Sequence, residues 1–350
     1  MTAALQMTRT RNIEHAATHV TDLAQRYRDT GAVGDLVRLR DARIVKGRGV
    51  TKATATAWTD RHTAPAPPDL FAPAPGHLPE LDRRDLSADT LRSAMHHHGA
   101  LIVRNFFNAR PALAFRQAID AVLDAAQAYH KAQEDGHEDQ REARAKALFL
   151  PPAPDVLPHD SKSKAFLDLS GACGTLLSPL ISHQLLDQFE QLGLRSLLQS
   201  YFQDEACLSY YKSVLRRAEP LQHPAEWHQD GAFMTPGIDS LNLWVALTEC
   251  GAGTSSPGMD LVPRRLNQII DPGINGAIFE WSVSGKTVAE RFADTPVAQP
   301  WFGAGDAVFF DHFNLHATSS GPEFTTPRYA IETWFFPKSR SALNQHPVLW

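Results

Sequence analysis

Several features that define common protein classes are missing from this sequence of 350 residues. It has only three cysteines, Cys173, Cys207 and Cys250, whose wide spacing and odd number predict neither a disulfide framework nor a zinc knuckle. No run of about 18 apolar residues occurs, so we expect no membrane span. The first residues mix charged and polar side chains and do not read as a secretory signal. These absences predict a cytoplasmic protein with buried, reduced thiols.

An excess of positive charge and a phosphate-binding glycine loop are missing as well. The net charge is -5, whereas a nucleic-acid partner favours a basic surface. Neither Gly-x-Gly-x-x-Gly nor a Walker loop is present. With 43% hydrophobic and 21% charged residues, the composition is that of a globular protein with a sizeable core. We therefore expect no nucleic-acid partner and no membrane partner.

Proline separates an N-terminal extension from the main domain. Residues 63–79 contain six prolines, which predicts an extended connector. Ahead of it, residues 12–29 have helical spacing of apolar side chains, and residues 35–52 form a basic run that predicts a solvated face. We expect residues 1–80 to form an extension with this connector and residues 81–350 to form the main domain. A homo-oligomer in which the extension packs on a second subunit stays open.

Helical patterns come first in the main domain and strand patterns follow. Helices are predicted from Ser87 through Met95, over 111–133 and over 182–200. Residues 151–164 form a polar, proline-bearing loop that is a candidate lid. After Cys207, short apolar runs alternate with glycine and proline turns, and the predicted strands are 208–215, 241–247, 277–283, 307–310 and 329–336. This order is typical of an α+β fold with a sandwich or barrel.

His228 and Asp230 offer an imidazole and a carboxylate two residues apart. In a strand these side chains project to the same side and can converge on one ion. A second imidazole, His316, lies in the strand-rich half of the chain. Two histidines and one carboxylate on one face of an iron ion leave positions open for substrate and oxygen. Neighbouring Trp227 and Phe233 can provide drier surroundings.

Arg328 follows His316 by twelve residues. Its guanidinium suits a bidentate clamp on a carboxylate. Other interpretations stay open at this point, because both histidines could be structural, Asp230 could be a turn residue, and Arg328 could be in an ordinary salt bridge. For His312 and for the run 96–98 we expect structural roles.

The order of these motifs resembles the phytanoyl-CoA dioxygenase family. A strand, a glycine-rich turn and a Pro-Gly loop in the middle of the chain match the family, as do a strand and helix upstream. The resemblance covers roughly residues 85–337. Its elements are 97–103, 242–247, 251–253, 257–263, His228 with Asp230, Gly305-Asp306 with His316, Ser320-Gly321-Pro322, and Pro327-Arg328.

The resemblance implies a double-stranded β-helix, a jelly-roll of the cupin type, with flanking helices. It implies that His228, Asp230 and His316 bind Fe(II) and that the co-substrates are 2-oxoglutarate and O2. Arg328 is implied to pair with the distal carboxylate of 2-oxoglutarate, and Thr318 to hydrogen-bond there; Lys212 is implied as a further co-substrate contact.

The activity that the resemblance implies is hydroxylation of an unactivated C–H bond, with release of succinate and CO2. Related halogenases have a small residue in place of the carboxylate ligand, so Asp230 favours hydroxylation. Desaturation, cyclisation, a cupin-like metal enzyme that does not use 2-oxoglutarate, and a non-catalytic binding protein remain alternatives. The substrate is expected to be a small molecule. The pairs Arg216-Arg217 and Arg264-Arg265 leave open whether it carries an anionic group.

Overall fold

The computed structural model describes residues 19–48, 66–136, 143–157, 167–168, 170–220, 226–234, 238–341 and 345–349. Within these ranges the helices are α1 (19–30), α2 (Val33–Gly47), α3 (Ala88–His97), α4 (Ala109–Glu134), α5 (Ala143–Leu148), α6 (Pro179–Gln191), α7 (Leu194–Phe202) and α8 (Gly285–Arg291). The strands are β1 (Glu80–Asp82), β2 (Ala100–Arg104), β3 (Ala172–Gly174), β4 (Ala206–Ala218), β5 (His228–Gln229), β6 (Leu241–Ala246), β7 (Cys250–Gly251), β8 (Met259–Leu261), β9 (Trp301–Phe302), β10 (Ala307–Asp311), β11 (Leu315–Thr318), β12 (Arg328–Pro337) and β13 (Pro347–Val348).

The large sheet is mixed and has the strand order β1-β2-β10-β6-β12-β4-β13, with β3 also paired to β4. Strands β1 and β2 run parallel, and the other pairs in this sheet are antiparallel. A small three-stranded sheet has the order β5-β11-β8, and β7 pairs with β9. The predicted α+β class is confirmed.

Alternation along each strand gives the large sheet two different faces. On β6, Leu243 and Val245 belong to the main hydrophobic core, which includes helix residues such as Ile119 and Phe189. Trp244, on the other face, belongs to a second cluster. The helices therefore cover one face of the sheet and leave the other for a different partner.

That partner is the small sheet together with the β7-β9 pair. Met259 and Leu261 of β8 and Phe302 of β9 share the second cluster with Trp244 and Phe310 of the large sheet. The space between the sheets is thus lined by side chains from both. Of the residues predicted to bind metal, His228 and His316 lie on β5 and β11 of the small sheet, and Asp230 directly follows β5.

Two predicted elements differ from the structure. The helix expected over 182–200 is interrupted at Gly193, whose φ of 70° is left-handed, so α6 ends at Gln191 and α7 begins at Leu194. The strand expected over 277–283 is wrong, because this segment forms turns and contributes one bridge, between Val283 and Trp227.

The solvated face predicted for the basic run is only partly confirmed where the structure describes it, because Arg38 and Arg48 are exposed but two other arginines are buried. In α2, Arg40 is 2% exposed and Arg43 is 8% exposed. Arg40 donates to the carbonyl of Leu150 and pairs with Asp41 at 2.7 Å, so its charge is buried but satisfied.

Parts of three further predictions fall outside the described residues. These parts are residues 12–18 of the predicted first helix, 49–65 of the basic run and connector, and 158–164 of the candidate lid. Within the described ranges, none of the helices combines the length and apolar character needed to cross a membrane.

Candidate active site

His228 and His316 face each other across two neighbouring strands. Strands β5 and β11 pair antiparallel with His316 opposite His228, and their ring centroids are 4.4 Å apart. Asp230 begins a 3-10 turn directly after β5. Its Oδ1 lies 3.9 Å from Nε2 of His228 and 4.0 Å from Nε2 of His316. The structure thus brings the three predicted residues together, with their ligand atoms within 4.8 Å of one another.

Backbone carbonyls orient both imidazoles. Nδ1 of His228 donates to the carbonyl of Glu226 at 3.3 Å, and Nδ1 of His316 donates to the carbonyl of Asn314 at 3.2 Å. Since a carbonyl only accepts, these bonds place the proton on Nδ1 and leave the Nε2 lone pairs directed at Asp230. Histidines that bind metals are held in this way.

Asn242 holds the carboxylate of Asp230. Its Nδ2 donates to Oδ2 of Asp230 at 2.7 Å, so that Oδ1, which faces both Nε2 atoms, stays available for a cation. Burial raises the pKa of the Asp230 carboxyl, although His316, Asn242 and Lys212 oppose that effect. Burial also lowers the pKa of His228 well below its ordinary value, and the nearby imidazole of His316 lowers it further. A neutral His228 imidazole beside a buried carboxylate fits a divalent cation, which favours the ionised carboxylate.

Arg328, at the start of β12, is 2% exposed. Its Nη1 donates to the carbonyl of Gly258 at 2.8 Å, and its guanidinium carbon lies 5.3 Å from the ring centroid of Trp244. Nε is buried without a hydrogen-bond partner, and no carboxylate among the described residues lies within ion-pair distance. Burial lowers the pKa of Arg328. A buried guanidinium with open donors fits an anionic ligand rather than an internal salt bridge.

Lys212 lies beside an aromatic neighbour of His228, and Thr318 follows His316 on the same strand. Nζ of Lys212 lies 4.5 Å from the ring centroid of Phe233 and 5.0 Å from that of Trp334. Burial lowers the pKa of this ammonium, while the carboxylates of Asp230 and Glu332 raise it. Thr318 lies two residues after His316 at the end of β11, so both side chains project from the same face of the strand.

Three of the four arginines in the two pairs contact protein groups. Arg216 forms a bidentate pair with Glu332, at 2.7 and 3.2 Å, and Arg217 contacts Asp120 at 3.2 Å. Arg265 donates to the carbonyl of Met95 at 2.7 Å. These contacts give no support to the possibility, raised by the arginine pairs in the sequence, that the substrate carries an anionic group.

Two residues of β6 that matter for this site were not identified from the sequence. Asn242 contacts Asp230, and Trp244 lies beside Arg328. Both alternate with the apolar residues Leu241 and Leu243, so the period of two along this strand contained the signal.

Residues 95–321 match the family model described as phytanoyl-CoA dioxygenase. The match spans more than half of the chain and includes His228, Asp230 and His316. Among curated proteins, none matches this chain.

Several solved structures are similar at low identity. EvdO2 from Micromonospora carbonacea var. aurantiaca, complexed with 2-oxoglutarate, is 17% identical over 69% of this chain and 88% of its own, with a TM-score of 0.43. SnoK, a non-heme alpha-ketoglutarate-dependent carbocyclase from nogalamycin biosynthesis, is 15% identical over 74% of this chain and 87% of its own, with a TM-score of 0.44.

Family membership rests on the sequence match over residues 95–321 and not on these distant likenesses. The chain belongs to the phytanoyl-CoA dioxygenase family of iron(II)- and 2-oxoglutarate-dependent oxygenases.

Proposed function

We propose that this protein is an iron(II)/2-oxoglutarate-dependent dioxygenase that hydroxylates an unactivated C–H bond of a small molecule. The placement of two residues on β6 carries the proposal. Asn242 holds the carboxylate of Asp230, and Trp244, next on the same face, lies beside Arg328. Same-face neighbours on a strand are about 6.6 Å apart. Asp230 and the open guanidinium of Arg328 therefore lie near neighbouring positions on one face of β6, so that a cation held at Asp230 and the guanidinium would bind the two ends of a short dicarboxylate.

In this proposal His228, Asp230 and His316 hold Fe(II). Arg328 holds the distal carboxylate of 2-oxoglutarate, Thr318 offers a hydroxyl near it, and Lys212 offers a positive charge at the other end of the site. When bound, Fe(II), 2-oxoglutarate and O2 supply the oxidation, in which the C–H bond becomes C–OH and the keto acid becomes succinate and CO2.

The chain's own residues orient and shield the reactants. The hydrogen bonds to Glu226, Asn314 and Asn242 fix the three metal-facing groups before any ligand arrives. Such pre-organisation lowers the reorganisation needed during reaction. Arg328, buried beside Trp244, fixes one end of the keto acid and so leaves its reactive end with a single orientation.

The small sheet packed on one face of the large sheet supports a double-stranded β-helix of the cupin type. We assign this oxygenase domain to residues 81–350 and the N-terminal extension to residues 1–80. Arg328 separates the proposal from a cupin-like enzyme that does not use 2-oxoglutarate, because a buried guanidinium with an open Nε calls for an anionic ligand.

Anaerobic addition of Fe(II) and 2-oxoglutarate tests the proposal. A weak visible charge-transfer band should appear in the wild type and in His77→Ala, which changes an exposed histidine outside the site. It should be absent in Asp230→Ala. A wild type that binds iron but develops no band would contradict the proposal.

A further inference from the structure

The three metal-facing side chains differ in exposure. The side chain of His228 is 25% exposed, whereas those of Asp230 and His316 are 6% and 7% exposed. A molecule that approaches this group of residues therefore meets the His228 side first. The residues around His228 decide what can approach.

Three aromatic residues extend outward from His228, and we call Phe233, Trp281 and Phe279 the aromatic wall. The rings of Trp281 and Phe233 meet the His228 ring with centroids 5.6 and 6.0 Å away, both edge-on. Phe233 and Trp281 are 5.1 Å apart, and Phe279 stacks on Trp281 at 4.9 Å with only 3° between the planes. A continuous aromatic surface thus leads from a metal-facing imidazole to solvent, where Phe279 is 48% exposed.

The outer part of the wall is fixed to the segment that carries His228. The carboxylate of Glu226 accepts from the Ser282 hydroxyl at 2.5 Å and from the backbone N–H of Ile278 at 3.1 Å. The backbone carbonyl of the same residue accepts from His228. Glu226 therefore sets the position of Trp281 relative to the imidazole, as a substrate-binding surface requires.

Exposure of this surface to water is unfavourable. Phe279 is joined at the rim by Ile278, which is 63% exposed. Covering such residues with an apolar ligand removes hydrocarbon surface from water. The adjoining edges of two parallel rings favour a flat partner, because edge-to-face contact adds to the gain from burial and a rigid ring loses little conformational freedom.

We propose that the aromatic wall is the substrate-binding surface of this site and that the substrate carries a flat, apolar ring system. The ring lies edge-to-face across the parallel rings of Trp281 and Phe279, and a neighbouring C–H bond lies beside His228. This inference rests on the proposed function for its chemistry, but the wall itself can be tested by binding alone.

The test uses 2-naphthol and its saturated counterpart, decahydro-2-naphthol, as probes. Each is titrated by calorimetry into anaerobic protein that holds Fe(II) and 2-oxoglutarate. We expect 2-naphthol to bind about tenfold more tightly than the saturated probe. Trp281→Leu, which keeps bulk but removes the aromatic face, should abolish most of that preference, and Trp281→Phe should keep it.

Trp301→Leu is the matched control, since Trp301 lies outside the aromatic wall. It is 45% exposed on β9 and donates a hydrogen bond to the carboxylate of Glu249. It should bind both probes as the wild type does. Equal affinity for the two probes, no binding of 2-naphthol, or an unchanged preference in Trp281→Leu would overturn the inference. So would a wild-type dimer that Trp281→Leu dissociates while probe binding persists, because a second copy would then cover the wall.

The charge-transfer band separates this inference from the proposed function. If the wild type develops the band but shows no preference for the aromatic probe, the inference of an aromatic substrate fails and the proposed function stands. If the wild type prefers 2-naphthol but develops no band, the aromatic wall is supported as a binding surface and the proposed iron and 2-oxoglutarate chemistry fails.

Discussion

The two faces of the large sheet are built from alternate residues of the same strands, yet they differ in chemistry. On β12, Ile331 and Phe335 pack into the core beneath the helices. Arg328 and Glu332, on the opposite face, carry charge into the space between the sheets. A single strand therefore contributes to the hydrophobic core through one set of positions and, in the proposed function, to ligand binding through the other.

The face of the large sheet opposite the helices also carries more positive than negative charge. Arg216 is paired with Glu332, at 2.7 Å, whereas in the described part of the chain neither Lys212 nor Arg328 has a carboxylate within ion-pair distance. An anionic co-substrate would supply the missing negative charge. If the two faces are independent, a substitution on the helix-covered face should lower stability without weakening ligand binding. A substitution on the other face should weaken ligand binding.

The largest effect is expected on the helix-covered face. Phe335 is 0% exposed and lies 6.0 Å from the ring of Phe189. Phe335→Ala should lower the free energy of unfolding by about 3–5 kcal/mol, because it removes buried surface and leaves a cavity. Chemical denaturation measures this loss, and Fe(II) titration of the folded variant should give the wild-type affinity.

Phe279→Ala is the matched control for stability, since the same change at an exposed ring should alter the free energy of unfolding by no more than about 0.5 kcal/mol. A Phe335→Ala protein that remains folded but has lost iron would show that the two faces are not independent.

On the other face, Arg328→Ala should weaken 2-oxoglutarate binding by about 2–5 kcal/mol, the usual cost of removing one partner of a buried charge pair. Iron binding should change far less. Arg328→Lys keeps the charge but loses the planar fork, so its affinity should be intermediate. Calorimetry with each ligand separates the two affinities. Equal losses for iron and 2-oxoglutarate would contradict the role assigned to Arg328.

A smaller effect is expected at Asn242, which touches a proposed ligand without itself binding metal. Asn242→Ala should weaken Fe(II) binding about 10–100-fold, since Asp230 loses the donor that fixes its second oxygen. Gln25→Ala removes a similar amide-to-carboxylate bond, 2.8 Å long, to Asp29 on the protein surface and should leave iron binding unchanged. Wild-type iron affinity in Asn242→Ala would show that Asp230 needs no such support.

The clustering of the three proposed metal ligands was predicted from the sequence. His228, Asp230, His316 and Arg328 combine residue types and spacings that few structural roles require, and the structure places the first three together. Asn242 was missed because its role depends on a contact with Asp230 that only the folded chain creates.

Two of the failed predictions share a cause, which is that hydrophobicity and charge do not by themselves report burial. Residues 277–283 were predicted as a strand because they are apolar, but Ile278 and Phe279 are exposed on a turn-rich segment. Arg40 was predicted to be solvated, yet its partner is the carbonyl of Leu150, 110 positions away. Distant partners of this kind leave no local signal.

Anomalous diffraction at the iron edge tests the central claim most directly. Crystals grown without oxygen in the presence of Fe(II) and 2-oxoglutarate should show one strong anomalous peak within bonding distance of Nε2 of His228, Nε2 of His316 and Oδ1 of Asp230. A carboxylate of the keto acid should contact Arg328. An iron peak elsewhere, or none at these atoms while iron binds in solution, would contradict it.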